Sequence, residues 1–141
     1  MNLYTVSMSK DVLDDARSGH PEWETAVDLL DLSWLYGIRA LNLLPVGDLR
    51  RGRFESVQAS EIVETAEFFR PFSVILTLGL RIQPDDEAGI AHYVEQLKDS
   101  GVAALGFGTG LQHAEIPGTL VQACAEAELP LFEVPRATAF A

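Results

Sequence analysis

The chain's 141 residues are 48% hydrophobic and 22% charged, enough apolar substance for one core of ordinary size and too much for a disordered chain. A formal net charge of -11 opposes phosphate, so direct binding of nucleic acid is not expected. The single cysteine, Cys124, has no internal disulfide partner, no apolar run reaches the roughly 18 residues that span a bilayer, and residues 1–10 lack a signal-peptide pattern, so a reduced, cytoplasmic protein without membrane contact is expected.

Residues 1–24 are polar and weakly periodic, with Val12, Leu13 and Ala16 on one helical face before Gly19, His20 and Pro21 break it; they read as an N-terminal extension of a domain covering 25–141. Thr25 offers an N-cap for a helix over 26–35. The alternation over 38–46, the polar turn at Gly47 and Asp48, and the strand at 54–59 predict a β-hairpin or a long connection between two strands. Ser60 caps a short helix that Pro71 ends. Residues 73–78 and 102–107 are short apolar runs of the kind covered on both faces, and 131–134 forms a last strand between Pro130 and Pro135. Between them lie a helix starting near Pro84, with Ile90, Val94 and Leu97 on one face and Gly101 at its end, and a helix opened by Pro117. Strands alternating with helices imply a mostly parallel, doubly wound-like α/β sheet with helices on both faces, preceded by the hairpin and the N-terminal helical segment.

Several residue patterns invite chemistry and fall short of it. Gly106, Gly108 and Gly110 follow a strand, but their spacing is not GxGxxG and no GK[ST] follows. His20, His92 and His113 are scattered without Cys or His at metal-ligand spacing, so no metal is expected. Glu61, Glu64 and Glu67 step along a wet helical face, with only Glu61 placed at a strand end. The cluster Arg50, Arg51 and Arg53 reads as a solvated turn. Cys124 has no base beside it and lies on an apolar face, and no GxSxG elbow occurs; neither an enzyme nor a cofactor is expected. What remains is geometric. In an open parallel sheet ligands bind at the carboxyl ends of strands, and here those ends carry Ser60, Glu61, Thr77, Gly79, Gly106, Gly108, Thr109 and Glu133, a set suited to a polar metabolite and also to ordinary turns.

From about Thr25 to Phe140 the chain resembles the N-terminal domain of the PucR, or purine catabolism regulator, family of bacterial transcriptional regulators. The resemblance is carried by TAVDLL, VQASEI, VILTLGL, SGVAALGFGTG and IPGTLVQACAEAELPLFEVP, the last two being the most specific. It implies a regulatory domain of catabolic genes that senses an effector such as a purine or another nitrogen or carbon metabolite, with DNA bound by a C-terminal helix-turn-helix absent here, so a fragment of a longer protein is expected. Departures are the extension and the stretch FRPFSVIL, where the family more often has a glycine before the strand.

Two functions from different classes fit these residues: an effector sensor, needing a polar pocket at the strand ends, and a dimerisation or interaction module without a metabolite, needing an apolar patch. A homodimer is expected because paired operator half-sites favour two-fold symmetry, with Val12, Leu13, Trp23, Trp34 and Tyr36 as candidate anchors.

Overall fold

The computed structural model describes residues 29–48, 51–61, 63 and 68–139. The extension at 1–24, the first residues of the helix predicted from Ala26, and most of the helix capped by Ser60, including Glu64 and Glu67, lie outside the described residues.

The four predicted parallel strands are β4 (Ser56–Ala59), β5 (Ser73–Thr77), β6 (Ala104–Gly108) and β7 (Leu131–Val134), paired in register as parallel neighbours. β2 (Leu44–Val46) adds to the free edge of β7 in the antiparallel sense, giving the order β2-β7-β6-β5-β4. Pro45 lacks an N–H, which an edge strand tolerates. Ahead of the parallel strands, β1 (Leu30–Asp31) and β3 (Arg53–Phe54) form a two-residue antiparallel pair.

Two expectations about this early region take a different form. The helix predicted over 26–35 begins only at Leu32: α1 is Leu32–Tyr36, because Leu30 and Asp31 are extended and spend their backbone on β3. The alternating run 38–46 is not one strand. Arg39–Leu41 is a single 3-10 turn, Asn42 takes the left-handed conformation that asparagine tolerates, and only Leu44–Val46 is extended. Short-range alternation does not distinguish a strand from a turn whose apolar residues face the same core.

β5 and β6 are buried along their whole length, and their alternation divides the core in two. Val74, Leu76, Ala104 and Phe132 pack with Leu32 and Leu35 of α1 and Phe54 of β3. Ile75, Leu105 and Leu131 pack on the opposite face with α2 (Glu87–Asp99) and α3 (Gly118–Ala127), through Ile90, Val94, Leu97 and Leu120. Each such fully buried side chain contributes about 1.5–3 kcal/mol. Helices therefore cover both faces. α2 starts where the Asp86 carboxylate accepts from the Gly89 N–H at 3.0 Å and ends at Ser100, with Gly101 at φ 80 beyond it. The short α4 (Arg136–Ala139) follows β7.

Phe72, immediately before β5, has φ 58, a conformation that glycine adopts without steric cost. That gives a physical reason why a glycine suits this position. Trp34 and Tyr36, named as candidate anchors of a homodimer, are half-buried and in ring contact within the fold, Trp34 with Phe54 at 6.4 Å and Tyr36 edge-on to Phe132 at 5.6 Å.

Candidate functional site

Parallel strands leave their last carbonyls and the loops that follow them on one rim. At the β5 end of that rim the chain builds a carboxylate cradle. Oε1 of Glu61 accepts from the Thr77 hydroxyl at 2.8 Å and from the Leu80 N–H at 3.0 Å, while Oε2 accepts from the Leu78 N–H at 2.7 Å. The Thr77 hydroxyl itself accepts from the Gly79 N–H at 3.1 Å, so its one proton is directed at Glu61. The loop is propped from below by Phe107 and His113, whose rings lie 5.4 Å apart. His113 Nε2 donates to the Gly79 carbonyl at 2.8 Å, since a carbonyl can only accept.

Gly79 is required here twice over. Its φ is +70, and a Cβ on it would lie 2.5 Å from the Phe107 ring and 2.9 Å from His113. That combination could be read from the sequence only as a glycine after a strand.

Beneath the cradle sits Tyr93 of α2, which the strand-end reasoning did not single out. It is 2% exposed, its ring meets Phe69 edge-on at 6.3 Å, and its hydroxyl has no partner in hydrogen-bond geometry. The neighbouring Thr77 hydroxyl gives its proton to Glu61 and one lone pair to the Gly79 N–H, which leaves a second lone pair on the side of the phenol. Burial, and after it the charge of Glu61, pushes the phenol above its ordinary value and keeps it neutral. The signal available in the sequence was Tyr93's place on the apolar face of α2, three residues after Ile90.

Tyr93 also lines a cleft of about 350 Å³ bounded by Val63, Arg81, Ile82, Gln83 and Asp86. This lies within the size range of small-molecule sites. Arg81 follows Leu80 directly, so the cleft and the cradle share the loop after β5. A second cleft, of about 390 Å³, opens between β2, β7 and α3; its walls, among them Val46, Val121, Leu129 and Leu131, are mostly apolar. Cys124 is part of that wall, and burial pushes its thiol up to about 12.

The eight strand-end residues thus divide into groups. Glu61, Thr77 and Gly79 come together in the cradle, and Ser60 adjoins it, its N–H donating to the Leu76 carbonyl at 3.0 Å. Thr109 and Glu133 form a separate pair at the β6 and β7 ends, the hydroxyl donating to the carboxylate at 2.5 Å. Gly108, in register with Val134, continues into this second group. Gly106 joins neither, because Leu76 and Phe132 fill the space over it, both within 2.6 Å of where a Cβ would stand.

A family model described as the purine catabolism regulatory protein-like family matches residues 47–141, well over half of the chain. The chain belongs to that family. The match takes in β3 to β7, the cradle and the first cleft, and begins after β1, α1 and β2, so it is shorter at its start than the resemblance from Thr25 suggested. The family is one of regulators, which suggests a regulatory role for the domain. No curated protein and no solved structure matches the chain. Among the described residues no helix is long and apolar enough to cross a membrane.

Proposed function

We propose that this domain is the effector-sensing part of a transcriptional regulator of catabolic genes: it takes a small polar metabolite at the carboxyl end of β5 and passes the event to a DNA-binding helix-turn-helix elsewhere in the regulator. The observation that carries this reading is the convergence, in a chain of a regulatory family, of a cleft of about 350 Å³, the polar loop after β5 and a buried phenol without a hydrogen-bond partner. Polar groups left unpaired in a protein interior cost stability, and a ligand that pairs them recovers that cost as affinity. Ser60, Glu61, Thr77 and Gly79 belong to this site, while Gly108, Thr109 and Glu133 form the separate, closed end beside it and Gly106 lies under Leu76 and Phe132.

An interaction module without a ligand draws less support. The exposed large apolar side chains of the described residues are Leu44, Phe68, Phe72, Leu80 and Leu111, and Phe72 and Leu80 stand at opposite ends of β5. Scattered apolar residues of this kind are normal on a soluble surface. Homodimerisation accompanies the sensing reading through operator symmetry. The test is a thermal-shift screen of purines, ureides, amino acids and small acids in a cytoplasmic-type reducing buffer. A ligand of the native state raises the melting temperature, and a panel without any such compound argues for the module instead.

A further inference from the structure

The cradle at the β5 end is a complete binding site for a carboxylate, and the carboxylate in it belongs to the chain. Two N–H groups and one oriented hydroxyl, from Leu78, Leu80 and Thr77, meet the two oxygens of Glu61 at 2.7–3.0 Å. Charge-assisted bonds of this kind hold a planar two-oxygen anion well. Thr77 and the Gly79 turn between the donors are held by bonds other than those to Glu61. Thr77 ends a fully buried strand, and its hydroxyl is oriented by the Gly79 N–H. Gly79 in turn is held by the His113 bond to its carbonyl and by contact with Phe107. Glu61, by contrast, follows the edge strand β4 and reaches the cradle across the sequence. The cradle is preorganised, and its occupant is tethered.

A second observation points to a ligand. The Tyr93 hydroxyl is buried beside Thr77 without a hydrogen bond of good geometry, Tyr93 lines the cleft, and Arg81 brings a cation to the same loop.

We propose that Glu61 is an intramolecular stand-in for the carboxylate of a small anionic effector, which displaces it from Thr77, Leu78 and Leu80 and sets the rest of its body in the cleft between Arg81 and Tyr93. This deepens the sensing reading and rests on it. A tethered carboxylate competes at a high effective concentration, so a bare carboxylate binds the intact chain weakly. An effector that engages Arg81 and Tyr93 as well gains contacts that Glu61 does not make, and those contacts overcome the tether.

The experiment uses the full chain and sodium acetate as probe, with sodium chloride at equal ionic strength and inorganic phosphate as comparisons. Amide resonances of Leu78 and Leu80 and the melting temperature are the readouts. Glu61→Ala is expected to bind acetate at least about tenfold more tightly than the unmodified chain, to recover melting temperature in acetate but not in chloride, and to show the shifts at Leu78 and Leu80. Adding Thr77→Val abolishes that response. Phosphate, which is tetrahedral, is expected to bind more weakly than acetate; equal binding overturns the assignment to carboxylates. Where Glu61→Ala does not fold, Glu61→Gln decides. Its oxygen still serves Thr77 and Leu80 while its NH2 opposes the Leu78 N–H, so the latch weakens and acetate affinity rises; unchanged affinity overturns the proposal. A metabolite hit in the screen whose affinity is the same with and without Glu61 overturns the cradle and leaves sensing standing. Acetate capture by Glu61→Ala, with no metabolite shifting the intact chain, does the reverse.

Discussion

The ends of β5 and β6 carry the same set of residues, a threonine, glycines and a glutamate, and use it in opposite ways. At β6 the set is closed. Thr109 is 4% exposed, its N–H donates to the Val134 carbonyl, and its hydroxyl donates to Glu133, which stands inside β7. The backbone of Glu133 is fixed in a strand paired on both sides. At β5 the carboxylate comes from Glu61, outside any strand, and the assembly opens on a cleft. Who supplies the acceptor thus decides whether the same residue types make a structural clasp or an exchangeable site.

The largest test of that contrast removes the ring beneath each end. Phe107 and Phe132 are both essentially fully buried, so either one changed to Ala is expected to lower the unfolding free energy by about 3–5 kcal/mol in urea titrations. Only Phe107 touches Gly79 and His113, so only Phe107→Ala should accelerate hydrogen exchange at Leu78 and Leu80 beyond the global loss. Equal acceleration in both variants breaks the comparison.

Adding a methyl group comes next. Gly79→Ala and Gly106→Ala are each expected to cost about 1–3 kcal/mol, the first from a positive φ with overlap on Phe107, the second from overlap with Leu76 and Phe132. Gly79→Ala should also abolish binding of any compound found in the screen, whereas Gly106→Ala leaves its affinity unchanged.

A finer cut compares the hydroxyls. Thr77→Val removes the bond given to Glu61 and the one accepted from the Gly79 N–H, and Thr109→Val removes the one given to Glu133, at about 1 kcal/mol per bond by thermal denaturation. Ligand affinity measured by calorimetry should fall only with Thr77→Val. If Thr109→Val weakens it equally, the two ends act as one site.

The smallest effect is alkaline and belongs to the helix side. Tyr93 and Cys124 are neutral when protonated, and burial raises both, Cys124 from 9.0 to about 12. Above the ordinary thiol value the unfolded chain releases protons that the folded chain keeps. Stability is therefore fully present below about pH 9 and declines as pH rises toward the folded value. Melting temperature should begin to fall between pH 8 and 10, less steeply in Tyr93→Phe and in Cys124→Ser, while Thr109→Val leaves the slope as it is. A slope unchanged in both Tyr93→Phe and Cys124→Ser would place the titrating groups elsewhere.

By itself the sequence determined the parallel α/β architecture. Runs such as 73–77 and 104–108 are apolar on both faces and bounded by glycine or proline, and the helix at 87–99 carries its cap, its stripe and its terminal glycine in order, so local rules and burial agree there. It also brought Glu61, Thr77, Gly79 and Glu133 into view as strand-end residues, because a parallel sheet must put them on one rim. Tertiary structure alone decided the rest. β2 left its neighbours in sequence to pair with β7, since an open edge accepts whichever strand the core brings to it. The eight strand-end residues were divided between two ends and a filled interior by Phe107, Phe132 and Leu76, whose reach depends on packing across strands far apart in the chain. Tyr93 was not singled out by the helical spacing of Ile90, Val94 and Leu97. Only the folded chain buried its hydroxyl beside Thr77 and its ring in the wall of the cleft.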